Sequence, residues 1–113
     1  MPYFIEAIQS LYPISDETVQ ALEESVTACR FPRRHRLICA NMDNRSAYFI
    51  EKGMTRSYWI VDGEEITTSF AGEGSIVFSM DELYYGKPSE EFVETIEETL
   101  AYRIALNRLN QLF

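Results

Sequence analysis

The chain has little of what a membrane span, a secretory route or a nucleic-acid surface requires. Its apolar runs are only a few residues long, far short of the about 20 residues a bilayer-spanning helix needs. The opening residues, Met1-Pro2-Tyr3-Phe4-Ile5-Glu6, include no basic stretch leading into an apolar core, so no secretory signal is read there. Cysteine is scarce: Cys29 and Cys39 are too few for a disulfide scaffold and too far apart for a CxxC motif. They are expected to be reduced, partly buried thiols in a cytoplasmic protein. His35 is the only histidine, whereas a metal-binding cupin usually needs several. Neither metal nor cofactor is expected, and no Ser/His/Asp or Cys/His grouping stands out, so neither is an enzyme. Positive charge is also short. The net charge of −8 excludes the chain as a whole from being a phosphate-binding surface. No repeat, low-complexity stretch or linker divides the 113 residues, a length that supports one domain around one core.

What is present is an ordered series of short elements. Pro2 suits a first helical position, and Phe4, Ile5, Ile8, Leu11 and Tyr12 fall on one helical face. Pro13 ends that segment, and Ser15 or Asp16 caps a second helix with the stripe Val19, Leu22, Val26 and Cys29. Phe31-Pro32 breaks it. Extended segments follow at 36–39, 47–51 and 54–61. Asp62-Gly63 then stands between Tyr58-Trp59-Ile60-Val61 and Ile66-Thr67-Thr68-Ser69-Phe70, which reads as a two-residue hairpin turn between strands. Residues 79–85 form a short helix ended by Gly86, residues 92–96 and 100–104 the last strands, and residues 106–113 a terminal helix. About seven short strands joined by tight turns indicate a mainly β fold, an antiparallel roll or barrel.

These residues resemble a known family. Tyr48-Phe49-Ile50-Glu51-Lys52-Gly53, then Asp62-Gly63-Glu64-Glu65-Ile66, then Phe70-Ala71-Gly72-Glu73-Gly74 are similar to the sensor roll of Crp/Fnr transcription regulators, most of all the branch common in Bacteroidetes. Glu73-Gly74-Ser75-Ile76-Val77 resembles the segment leading into that family's phosphate-binding cassette, and Gly86-Lys87-Pro88-Ser89 the cassette's turn. The resemblance implies a cyclic-nucleotide-binding-like jelly roll, a double-stranded β-helix. Helices would occupy 1–30, the roll 31–105, and the start of a C-terminal helix 106–113. It implies an effector-sensing role, with DNA reached only through a C-terminal domain missing from this chain. A homodimer would then be weak, because only about two helical turns follow the last strand.

The same resemblance marks departures. Where nucleotide-binding members carry a ribose-holding Glu, this chain has Ser79, and where they carry a phosphate-holding Arg and then Ser or Thr, it has Ser89 and Glu90. Asp81, Glu82, Glu90, Glu91, Glu94, Glu97 and Glu98 surround these positions, with only Lys87 opposing them. A phosphate there loses its bidentate partner and meets like charge, so neither cAMP nor cGMP is expected to bind. The degenerate ligand site comprises Phe78, Ser79, Met80, Ser89 and Glu90, and any small-molecule effector stays unidentified.

Other features have plain readings. Arg30, Arg33, Arg34, His35 and Arg36 read as a solvated rim neutralising nearby carboxylates, with an anion or nucleic-acid patch the alternative. Arg56 reads as a cation paired with Glu64 or Glu65 across the hairpin. Glu90 to Glu98 read as a solvated strand edge. Trp59, Phe70, Phe78, Met80 and Tyr84 read as packed core, with the lining of an apolar cavity as the alternative. A different class of function also stays open: a stand-alone ligand- or protein-binding roll without DNA binding.

Overall fold

A computed structural model describes residues 3–11 and 13–112. Helix α1 spans Tyr3–Leu11 and α2 Asp16–Ser25, followed by strands β1 (Thr27–Phe31), β2 (Arg36–Ile38), β3 (Ser46–Lys52), β4 (Thr55–Val61), β5 (Glu64–Ala71) and β6 (Ile76–Val77). Helix α3 spans Met80–Tyr85, then come β7 (Phe92–Thr95), β8 (Thr99–Ala105) and α4 (Leu106–Leu112). The strands form two four-stranded antiparallel sheets, ordered β1-β8-β3-β6 and β2-β7-β4-β5. The fold is the expected jelly roll.

Alternation along β3 and β8 builds two cores. Ala47, Phe49 and Ile104 face the helices, where Phe4, Ile5, Val19, Leu22, Leu106 and Leu109 close over them. Ile50 and Ala101 face inward and meet Leu37, Ile38 and Val93 of the second sheet. The terminal helix is therefore folded back onto the roll, with Leu106 and Leu109 buried. Among the described residues, no helix is long and apolar enough to cross a membrane.

The expected boundaries shift at one place. The second helix does not run to Cys29, and the roll does not begin at Phe31. Ser15 Oγ accepts a hydrogen bond from Thr18 N at 3.1 Å as the cap, but α2 ends at Ser25. Val26 is already extended, and Thr27–Phe31 pairs residue by residue with Arg103–Thr99. Five ladder positions on β8 outweigh the weak helical preference of Val-Thr-Ala-Cys. With β1 and the short β6, the described residues form eight strands where the sequence predicts about seven. Of the first helix's expected stripe, Phe4 and Ile5 are buried and Ile8 is half-buried, while Leu11 is exposed; Pro2 and Tyr12 lie outside the described residues.

Two turns need glycine. Asp62 and Gly63 have φ of 52° and 81°, both positive as the hairpin turn requires. Gly53 has φ 115°, and a Cβ there would stand 2.5 Å from Thr99 Oγ1 and 2.8 Å from Thr99 Cα.

The second sheet is cross-braced on its outer face. Arg36 stacks over the Phe92 ring, Phe92 stacks on Tyr58, and Arg56 lies over Tyr58. Arg36 Nε donates to Tyr58 Oη at 3.2 Å, and Tyr58 Oη donates to Glu94 at 3.4 Å. Burial pushes the Tyr58 phenol above its usual pKa, against the Arg36 hydrogen bond, which lowers it. Arg56 pairs with Glu65 at 2.6 Å, as expected across the hairpin, and reaches Glu94 at 3.8 Å. Glu94 is thus engaged rather than a solvated edge charge, and β7 is internal to its sheet. The basic cluster is a turn wrapped on Thr95, whose hydroxyl accepts from His35 N and donates to Pro32 O. There Arg30 pairs with Glu98 at 3.0 Å and His35 stacks on Phe31.

Candidate functional site

The cassette is set by backbone geometry that the sequence encodes locally. Gly74, at φ 83°, donates to Ile50 O, and Ser75 O accepts from Ile50 N, which docks the cassette's first turn on β3. Ser79 then caps α3, accepting from Glu82 N at 3.3 Å, and Gly86 closes the helix in the left-handed conformation at φ 64°. Past Pro88, the Ser89 hydroxyl donates to Glu91 O at 3.0 Å and accepts from Glu91 N at 3.1 Å.

The five candidate residues therefore divide. Ser79 and Ser89 are buried, and both hydroxyls are committed to backbone partners. Phe78 is half-buried, packed against the helical core and edge-on to Tyr84. Met80 and Glu90 are exposed, so neither lines an enclosed site. The aromatic set is corrected too. Trp59, Phe70, Met80 and Tyr84 are exposed, neither packed in a core nor gathered around a cavity, and only Phe78 packs inward. Trp59 lies past Tyr58, where the pairing of β4 with β7 ends, Phe70 lies on the edge strand β5 opposite Arg56, and α3 buries none of its residues.

Four participants were not foreseen from the sequence. Glu91, expected at a solvated edge, is half-buried, and its carboxylate accepts from the Thr68 hydroxyl at 2.7 Å. Thr68 is the unmatched residue of a bulge, because Ser57 pairs with Ser69 while Tyr58 pairs with Thr67. Glu82 accepts the Asn44 backbone N–H with both carboxylate oxygens, at 2.7 and 2.9 Å, which fastens the β2–β3 loop to α3. Asn44 in turn bonds both the N–H and the C=O of Cys39. An Asn in a short loop between strands signals such a turn; its grip on Glu82 depends on the fold.

A groove of about 320 Å³ lies against α3, with Asp43, Glu82 and Lys87 in its wall. Among the described residues, no three His, Cys, Asp or Glu side chains gather as metal ligands. The Tyr48 phenol, inside the roll, is also raised by burial.

Comparison with known proteins places this geometry. No curated protein matches the chain. The regulatory domain of Toxoplasma gondii PKA, in co-crystals with cAMP, superposes with a TM-score of 0.86 at 16% identity, covering 97% of this chain and 43% of that one. A mutant regulatory subunit of a cAMP-independent protein kinase A from Trypanosoma brucei, bound to cAMP in its A site, gives 0.86 at 15% identity, covering 96% and 40%. The sensor domain of the transcriptional regulator DNR from Pseudomonas aeruginosa gives 0.81 at 14% identity, covering 95% and 74%. The chain spans about two fifths of the length of the two kinase regulatory chains. These likenesses concern the fold. The family model for the cyclic nucleotide-binding domain matches residues 28–113, and the chain belongs to that family.

Proposed function

We propose that this domain is the effector-sensing part of a Crp/Fnr-like regulator, of the Bacteroidetes branch its motifs resemble, and that it does not respond to cAMP or cGMP. The observation that carries this reading is the fate of the two cassette serines. By the sequence resemblance Ser79 and Ser89 stand where nucleotide-binding members place Glu and Arg, and their hydroxyls are engaged by the backbone of Glu82 and Glu91 respectively. Position 89 carries no guanidinium, and the Glu91 carboxylate lies two residues along, bonded to Thr68. The cAMP-independent kinase subunit from Trypanosoma brucei supports the idea that this fold is used without cAMP control. The role is regulatory rather than catalytic, in the cytoplasm, with contact to DNA made by a separate domain. Calorimetry with cAMP and cGMP tests the reading: no heat of binding is expected at micromolar concentrations, and a micromolar dissociation constant for either overturns it.

A further inference from the structure

The tip of the β4–β5 hairpin carries more exposed apolar surface than a free strand pair should show. Trp59, Ile60, Val61 and Ile66 are 44%, 47%, 45% and 47% exposed, all within eight residues. Trp59 and Ile66 are cross-strand partners, as are Val61 and Glu64, so Trp59, Val61 and Ile66 share one face with Glu64 at its rim. Apolar side chains gathered in this way mark an interaction surface more often than isolated ones do.

The charges around the patch say what fits it. From Trp59 to Phe70 the chain holds Asp62, Glu64 and Glu65 and no Lys or Arg. Glu65 is matched by Arg56, whereas among the described residues Asp62, Glu64 and Glu91 form no ion pair. A second copy of a chain with a net charge of −8 would bring like charges to this rim, and an anionic lipid surface would be repelled. We propose that the Trp59–Val61–Ile66 face docks a polypeptide segment with apolar anchors flanked by Lys or Arg. The apolar anchors supply the affinity, and the rim supplies the choice of partner and its salt dependence.

Trp59 is the only tryptophan, so its emission reports directly on this face. The probe is a synthetic Lys/Leu amphipathic peptide without tryptophan, titrated into the chain, with a Glu/Leu peptide alongside. The expected result is a saturable blue shift and reduced acrylamide quenching with the Lys/Leu peptide only, weakened by salt. The double substitution Val61→Ser with Ile66→Ser is expected to weaken binding about tenfold or more. Asp62→Asn with Glu64→Gln should weaken it severalfold and flatten the salt dependence. Glu23→Gln with Glu24→Gln, on exposed α2, removes the same charge elsewhere and should change nothing. An equal loss in the α2 variant overturns the proposal, since attraction would then be to acid in general. It is also overturned by Trp59 emission that stays unmoved at saturating peptide. Sedimentation showing a dimer that Val61→Ser with Ile66→Ser dissolves would overturn it too, because a second copy would then own the face. The wild-type quenching arm decides the matter even if a variant fails to fold.

Discussion

The Thr68 hydroxyl donates to the Glu91 carboxylate at 2.7 Å, joining the bulge of β5 to the residue two positions beyond Ser89. A carboxylate is thereby held half-buried beside the Ser89 turn, the segment that resembles the family's phosphate-binding turn. On the function proposed above, this anion would act together with Ser89 standing in place of an arginine, since a phosphate there would meet like charge as well as lose its partner.

On the proposed function, placing the residues of nucleotide-binding members at these positions should create a cAMP site. Ser79→Glu with Ser89→Arg and Glu90→Ser is expected to bind cAMP at least about a hundredfold more tightly than the natural chain, since hydrogen bonds to a charged group contribute about 1.5–3 kcal/mol each. Adding Glu91→Gln should tighten binding further. Calorimetry on the three proteins checks this, and an unchanged triple variant would mean that the cassette is closed by its shape rather than its chemistry.

Gly53 joins β3 to β4 at a φ that L side chains rarely adopt, hard against Thr99. Gly53→Ala combines backbone strain with a clash against main-chain atoms that cannot swing away. It should destabilise the domain by about 3 kcal/mol, read as a drop in the urea midpoint. Gly63→Ala, where a Cβ meets nothing within 4 Å, adds only the strain of its φ of 81° and should do less harm.

Leu109 tests whether α4 belongs to the roll. It is buried with Phe4, Leu22 and Phe49 in the helix-side core. Leu109→Ala should cost about 2–4 kcal/mol of stability; a loss near zero would mean that the helix is undocked in solution.

Stability should fall at alkaline pH. Burial raises the pKa of Tyr48 and Tyr58, so the folded state keeps phenolic protons that the unfolded chain releases at about pH 10. Their contribution is whole below that value and is lost as pH rises through the raised folded-state values. Urea titrations between pH 8 and 11 should show a falling stability, with a shallower slope after Tyr48→Phe with Tyr58→Phe.

Local chemistry alone determined much of this domain. A cap at Ser15 or Asp16, Asp62-Gly63 as a hairpin turn, Gly86 as a helix stop and a pairing of Arg56 with Glu64 or Glu65 all depend on residues a few positions apart or directly across one turn, so spacing is enough to read them; that Ser15 caps, that Ser79 caps α3 and that Glu65 is the partner came from the structure. The jelly roll followed from the same turns and from motif order. The tertiary structure decided what depends on distant partners. Thr27–Phe31 is a strand because β8 lies beside it; as an isolated segment it reads as more helix. Glu91 is a held carboxylate because a bulge some twenty residues earlier presents Thr68. Trp59 and Phe70 have the composition of a core, yet both are exposed: Trp59 lies past Tyr58, where the pairing of β4 with β7 ends, and Phe70 lies on the edge strand β5. Burial belongs to the assembled sheets, and no pattern within one segment records how far its neighbours extend.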